Sequence, residues 1–277
     1  MSNVGQARSR LKADCANCFG LCCTALGFMK SADFALDKAN GVPCPNLQDD
    51  YRCGIHRELR TTGFKGCTVY DCFGAGQHVS QRTFAGRDWK TDKETAEAMF
   101  AVFPQMVQLF ELLWLLEEAQ GKTSRPELKE QAERLLGKTR AMTDLSAQEL
   151  RRLQIGEHWR EVNDVLLQVS EEVRAGIASA KKLNKKFGRG ADLIGAKLQG
   201  TDLSGANLRG AYLIAADLRE TRLDRTDLVG ADFRDADIRG ADLSGSLFLT
   251  QIQMNAAKGD GRTRLPEGIE RPSHWCE

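Results

Sequence analysis

The distribution of apolar and polar positions has a period of five between residues 191 and 250, where twelve blocks follow one another without a gap. The first position of each block is small (Ala, Thr or Ser), and the third is always large and apolar. Helices need apolar spacings of three and four, and strands need alternation, so neither explains a strict five-residue period. Instead the chain must turn once per block, and four turns close a square coil of twenty residues. Twelve blocks therefore predict a β-solenoid of about three coils. Its axis is filled by the third-position residues Leu193, Leu198, Leu203, Leu208, Leu213, Leu218, Leu223, Leu228, Phe233, Ile238, Leu243 and Phe248.

The blocks, such as ADLIG at 191–195, ANLRG at 206–210 and ADIRG at 236–240, resemble the pentapeptide repeat family with its A(D/N)LxG motif. This resemblance implies a right-handed quadrilateral β-helix. Both ends of such a column expose apolar cross-sections, so terminal caps are expected. An amphipathic helix at 158–183 and the segment 251–277 are the predicted caps.

The middle of the chain has helical patterning. The apolar run 98–116 predicts a buried helix that Pro104 kinks or interrupts. Further helices are predicted at 126–138 and from Ser146, where Glu149 completes a capping-box pattern. The predicted fold is thus a multidomain α plus β-solenoid protein. We divide it into a Cys-rich module at 1–90, an α-helical region at 91–185, a β-helix at 190–255 and a C-terminal cap at 256–277.

Cysteine is concentrated near the amino terminus, where eight of the nine cysteines lie between residues 15 and 72. Disulfides would suit an oxidising compartment, but residues 1–20 lack an apolar signal region. Scattered buried cysteines would not give a Cys-x2-Cys spacing followed by a vicinal pair. Metal ligation explains the clustering best, because thiolates bind zinc in sets of four and iron–sulfur clusters also take four cysteines. The candidate ligands are Cys15, Cys18, Cys22, Cys23, Cys44, Cys53, His56, Cys67 and Cys72.

The same stretch resembles the zinc- or iron-chelating family with a Cys-x2-Cys-x2-Cys-Cys signature. The matching residues are Cys15, Cys18, Cys22 and Cys23, then PCPNL at 43–47, CGIH at 53–56, Cys67 and YDC at 70–72. The chain departs from the signature by placing three residues between Cys18 and Cys22. The resemblance implies a zinc or iron cofactor, with an iron–sulfur cluster as one form of the iron.

Charge and hydropathy bear on whether the protein spans a membrane and on the compartment in which it is expected. The chain has a net charge of +1, and residues 1–90 carry twelve basic against eight acidic side chains. Two four-thiolate zinc sites would each add about −2, which leaves this segment near neutral. With no run of eighteen apolar residues, no membrane span is expected. We expect a cytoplasmic protein and leave its oligomeric state open.

Three functions are consistent with these features. The first is a metal-binding protein whose β-helix surface acts as a scaffold for an unknown protein partner. The second is an enzyme that uses an iron–sulfur or zinc centre, although no catalytic residue is indicated. The third is DNA mimicry toward gyrase, which some pentapeptide repeat proteins show. Three coils span only about 14 Å, and the repeats carry ten acidic against seven basic residues. Mimicry and nucleic-acid binding are therefore disfavoured, and an enzyme is the less favoured alternative.

Overall fold

A computed structural model describes residues 8, 11–177 and 187–276. By internal contacts the chain forms two compact units. Unit 1 comprises Met1–Glu117 with Glu130–Asp164, and unit 2 comprises Glu118–Lys129 with Val165–Glu277. The division into four segments made from the sequence stays a prediction.

The amino-terminal part of unit 1 consists of short elements joined by turns. Helix α1 covers Leu21–Thr24, α2 covers Lys65–Val69 and α3 covers Ala75–His78, which continues into a π-helical turn at Val79–Thr83. Single 3-10 turns lie at Cys15–Asn17 and His56–Glu58. Two antiparallel bridges, Phe28 with Lys38 and Leu47 with Cys53, fold the loops between them.

Longer helices follow. Helix α4 spans Lys93–Lys122, α5 spans Pro126–Thr143, α6 spans Ala147–Arg152 and α7 spans Ile155–Ala175. The capping box at Ser146 is present, since the Glu149 N–H donates to the Ser146 hydroxyl and the Ser146 N–H donates to the Glu149 carboxylate. The buried His158 of α7 contacts Thr139 of α5 at 2.8 Å. Residues 178–183 of the predicted helix lie outside the described residues.

Helix α4 continues through Pro104, so of the two predicted alternatives the one in which the proline ends a first short helix is wrong. Residues on both sides of the proline, including Val102, Phe103 and Met106, are fully or almost fully buried. Their packing holds the helix together despite the backbone hydrogen bond that proline removes. By length and composition alone this helix could cross a membrane, but 61% of its apolar window is buried inside the protein.

The repeats of unit 2 form a column of twenty-residue coils. Parallel bridges join residues twenty apart, as in Asp192 with Tyr212 and Tyr212 with Asp232. The bridges are isolated single pairs, not continuous strands, because the last two positions of the five-residue blocks between 191 and 245 form a turn. Every large third-position residue is buried, as the period predicts. The right-handed sense of the coils stays a prediction from the family resemblance.

The ladder extends beyond the repeats. Helix α8, Gln251–Ala256, interrupts the coil, and the chain then returns so that Lys258 bridges Asp237 and Arg264 bridges Asp242. The buried Trp275 donates its indole N–H to the Ala257 carbonyl at 3.0 Å. The segment after the repeats therefore adds part of a further coil and packs on it.

The fifth position of most blocks has a left-handed backbone. Glycine there has φ near +60° to +75°, and where Gly is absent Ala215, Glu220, Arg225 and Asp235 adopt the same region. A side chain in this conformation costs about 1–2 kcal/mol. Glycine at the fifth position therefore adopts, without this cost, the left-handed backbone that the turn at the corner of a coil requires.

We expect Gly210→Ala to lower the free energy of unfolding by about 1 kcal/mol, from backbone strain alone. Gly210 has φ +62°, and a Cβ added there would meet nothing within 4 Å. Gly137→Ala is the matched control, because its added Cβ also meets nothing but Gly137 lies within helix α5. The free energy of unfolding of this control variant should rise by about 0.5–1 kcal/mol. Urea denaturation of both variants tests the pair, and equal shifts of the same sign would contradict the strain argument.

Candidate functional site

Hydrogen bonds hold the first cysteines against the segment that contains Cys72. The Asp14 N–H donates to the Gln77 side-chain carbonyl at 3.1 Å, and the Phe19 N–H donates to the Ser80 hydroxyl at 3.0 Å. A Cβ added at Gly76 would lie 2.8 Å from the Cys18 sulfur and 3.6 Å from the Cys72 sulfur. The two sulfurs are thus separated by no more than the sum of those distances. We call Cys15, Cys18, Cys22 and Cys72 the first thiol group.

Backbone contacts bring a second set of cysteines close together. The Cys44 N–H donates to the Cys23 carbonyl at 2.9 Å, and the Leu47 N–H donates to the Cys44 carbonyl at 3.0 Å. Leu47 in turn bridges Cys53. Burial raises the pKa of the Cys67 thiol to about 12, with the neighbouring thiols Cys23 and Cys44 adding to the shift. We call Cys23, Cys44, Cys53 and Cys67 the second thiol group.

The vicinal pair joins the two groups. The Cys22 and Cys23 sulfurs lie 4.0 Å apart. Their thiols share a hydrogen bond, which lowers the pKa of Cys23 and, together with burial, raises the pKa of Cys22. Cys23 is therefore the thiol of this pair that gives up its proton more easily.

Burial is the main cause of the raised pKa of four other thiols. It raises the pKa of Cys72 to about 11 and also raises the pKa of Cys15, Cys18 and Cys53. A reactive cysteine needs a lowered pKa, since the thiolate is the nucleophile. These thiols are thus poor nucleophiles by themselves, but binding of a metal ion would displace their protons.

The structure brings the predicted ligands together only in part. Within residues 11–177 and 187–276, no three His, Cys, Asp or Glu side chains form a ready-made metal site. His56 is exposed and starts a 3-10 turn. Four thiols in each group are nevertheless the donor set that zinc or iron takes. The chemistry of the donors fits such an ion, and coordination would require the sulfurs to rotate toward it.

Lys38 was not among the predicted site residues, and it lies beside the second group. Its ammonium is buried, with 6% of the residue exposed. It donates to the carbonyls of Val42, Thr24 and Ala39 at 2.8, 3.2 and 3.3 Å. No sequence pattern distinguishes this lysine, because only the folding of three loops buries it.

A cavity of about 490 Å³ lies on the other side of α3. Its lining includes Asp14, Gln77, His78, Phe110 and Arg140. The His78 ring contacts the Thr143 carbonyl at 2.9 Å, and burial lowers the pKa of this histidine. His78 therefore packs against α5 and serves a structural purpose.

In unit 2, one face of the column is buried. Asp227 is fully buried and Arg209 almost so, and the Arg209 guanidinium donates to the Asp227 carboxylate at 3.0 Å. Arg174 at the end of α7 donates to the Gly205 carbonyl at 3.3 Å. The Phe248 N–H donates to the Glu118 carboxylate at 2.9 Å. Segments of α4 and α7 thus cover this face.

The exposed faces carry acidic side chains that are already paired. In the blocks that carry both residues, the second-position Asp accepts from the fourth-position Arg, as in Asp217 with Arg219 at 2.7 Å and Asp237 with Arg239 at 2.6 Å. These arginines neutralise the negative charge that a duplex mimic would have to display. The observed pairing therefore disfavours mimicry of DNA.

One exposed face also carries apolar side chains. Ile194 is 57% exposed and Tyr212 is 50% exposed. Ile214 lies one coil above Ile194, since the Gly195 N–H donates to the Ile214 carbonyl at 2.8 Å. We call Ile194, Tyr212 and Ile214 the apolar patch.

The comparisons with known proteins agree with this architecture. The family model for pentapeptide repeats matches eight copies, at residues 182–210, 189–222 and 206–248. The Bacillus subtilis (strain 168) protein described as the uncharacterized protein YybG is 60% identical over 265 residues, which is 96% of this chain and 95% of the relative.

Solved pentapeptide repeat proteins are also similar. One from Nostoc PCC 7120 is 29% identical, covering 34% of this chain and 88% of that chain, with a TM-score of 0.20. HetL, a Nostoc protein involved in the regulation of heterocyst differentiation, is 26% identical. The match covers 30% of this chain and 59% of HetL, with a TM-score of 0.19.

Proposed function

This chain belongs to one family with the Bacillus subtilis protein YybG and carries pentapeptide repeats. From this we propose that it is a binding protein whose repeat column contacts a protein partner. The observation that carries this proposal is the apolar patch, which lies on an exposed face whose neighbours bear paired charges. Large exposed apolar side chains that lie together favour protein contacts. The opposite charges around them would fix the orientation of the partner.

Site-specific photo-crosslinking tests the partner-binding face. A photoreactive phenylalanine analogue replaces Ile194 or Tyr212, and as a control it replaces the exposed Arg222 on another face. We expect one cross-linked product from both patch positions and none from position 222. Ile194→Glu should abolish the product formed from position 212, because a buried charge opposes the contact. Equal labelling at position 222, or none at the patch, would refute this binding face.

We propose further that the amino-terminal module binds zinc or iron through its two thiol groups. The support is the arrangement of eight cysteines in two sets of four within a segment that has few regular elements. The binding free energy of a thiolate site contributes directly to folding such a segment. A structural ion of this kind would keep the module folded, and the module would serve the binding protein without catalysing a reaction.

Elemental analysis of protein purified without oxygen tests this second proposal. We expect near-stoichiometric zinc or iron in the native chain and less in Cys23→Ser/Cys67→Ser. Cys276→Ser is the matched control, because Cys276 lies outside the module in sequence. A visible absorption band that bleaches with dithionite would favour iron–sulfur chemistry and the enzyme hypothesis. A metal-free native protein would remove the proposal.

A further inference from the structure

Lys38 is a buried cation, with 6% of the residue exposed. Throughout the part of the chain that the structure describes, it forms no ion pair, and its three hydrogen bonds all go to backbone carbonyls. A buried charge is costly unless an opposite charge compensates it. The position of this ammonium therefore suggests that an anionic group lies next to it in the functional protein.

Two of the carbonyls that Lys38 contacts lie close in the chain to cysteines of the second thiol group, since Thr24 directly follows Cys23 and Val42 precedes Cys44 by two residues. The Val42 carbonyl accepts the shortest of the Lys38 hydrogen bonds, and Cys44 is hydrogen-bonded to Cys23. On the other side, Lys38 pairs with Phe28, whose ring stacks on Phe34 at 4.3 Å. A Cβ added at Gly66 would lie 2.3 Å from the Phe34 ring, which places Cys67 next to the same cluster.

The first thiol group has the opposite electrostatic surroundings. Asp14 directly precedes Cys15, and its carboxylate accepts from the Ala16 N–H at 3.1 Å and from the Asn17 side-chain amide at 2.7 Å. Asp71 directly precedes Cys72, and its carboxylate accepts from the Phe73 N–H at 2.6 Å. Carboxylates near the first group oppose the formation of thiolates there, whereas the ammonium near the second group favours it.

We propose that Lys38 compensates the charge of the second thiol group, so that this group binds a thiophilic divalent ion more tightly than the first group does. The inference rests on the proposed metal binding. As the ion binds, each of the four thiols releases one proton to solvent and donates a sulfur lone pair. Four thiolates and one dication carry a net charge of about −2, and the fixed ammonium of Lys38 reduces the total for the site to about −1. Lys38 is a positioning and compensating residue and does not itself coordinate the ion.

The experiment is a titration of the reduced, metal-free full-length protein with Co²⁺, followed by competition with Zn²⁺. The thiolate-to-cobalt absorption reports how many thiolates bind. We expect two steps of unequal affinity. The tighter step should be lost in Cys44→Ser/Cys67→Ser and kept in Cys15→Ser/Cys72→Ser.

Three single variants separate charge from packing. Lys38→Met keeps the length of the side chain but removes its charge, and it should weaken the tighter step at least about tenfold. Lys38→Arg should retain most of the affinity. Asp71→Asn should tighten the weaker step and leave the tighter one unchanged. Thermal melting of each metal-free variant serves as the check on folding.

The possible results distinguish the two proposals. If the native protein takes up neither Co²⁺ nor Zn²⁺, both metal binding and the assignment of Lys38 are overturned. If it takes up both ions but Lys38→Met binds them as tightly as the native chain, only the assignment of Lys38 falls. The same holds if Lys38→Arg is weakened as much as Lys38→Met, because the residue would then act through its shape.

Discussion

Replacing Asp227 with alanine is expected to lower the free energy of unfolding of the repeat column by about 3–5 kcal/mol. The Asp227 carboxylate is fully buried and accepts from the Arg209 guanidinium at 3.0 Å and from the Val229 N–H at 3.1 Å. Its charge also favours the charged form of the buried Arg174, whose pKa is lowered first by burial. Removing the carboxylate would leave the guanidiniums of Arg174 and Arg209 buried without their common counter-charge.

The control for this prediction is Asp232→Ala. Asp232 occupies the same second position of its block and also pairs with an arginine, at 2.7 Å, but the Arg234 side chain is 63% exposed. An exposed pair of this kind contributes about 0–1 kcal/mol. Urea denaturation followed by circular dichroism measures both variants. A loss for Asp227→Ala no larger than that for Asp232→Ala would show that the buried pair does not hold the covered face.

The second large effect is expected for Phe233→Ala, which should also cost about 3–5 kcal/mol. Phe233 occupies the third position of its block and is 1% exposed. The coil that precedes Phe233 is fixed by the backbone ladder, since Tyr212 bridges Asp232 and the Leu213 N–H donates to the Asp232 carbonyl at 2.9 Å. The side chains of that coil therefore cannot close the gap. The cost therefore includes both the lost burial and the cavity that remains.

Tyr212→Ala is the matched aromatic control, because Tyr212 lies in the same column but half of it is exposed. We expect a loss below about 1 kcal/mol for this variant. Both variants can be compared by their urea midpoints. Similar midpoints would mean that the third-position residues do not form the core of the column.

The relation between sequence and structure differs along the chain. In the repeats the period alone predicted the twenty-residue coil and the buried third position, because each block has the same environment as the blocks stacked on it. The capping box at Ser146 was also predictable, since it depends on residues only three positions apart. At Pro104 the sequence left open whether the helix bends or ends, because its continuation depends on the burial of the side chains around the proline.

The structure of the cysteine module was predicted least completely from the sequence. The spacing of Cys15, Cys18, Cys22 and Cys23 indicated a shared site. The structure adds cysteines from farther along the chain, since Cys72 lies near Cys18 and the Cys44 N–H donates to the Cys23 carbonyl. Nearness in sequence does not determine which loops fold together in a segment with few regular elements. The metal ligands therefore stay a prediction that elemental analysis must test.

The sequence by itself determined the column, its coil length and the turn in each block, because these follow from a repeated local pattern. Only the tertiary structure decided which face of the column is covered and that Lys38 is buried against the carbonyls of Thr24 and Val42, close in the chain to Cys23 and Cys44. These features depend on contacts between residues far apart in the chain. No local pattern encodes such contacts, because burial and the neighbouring charges arise only when the separate segments pack.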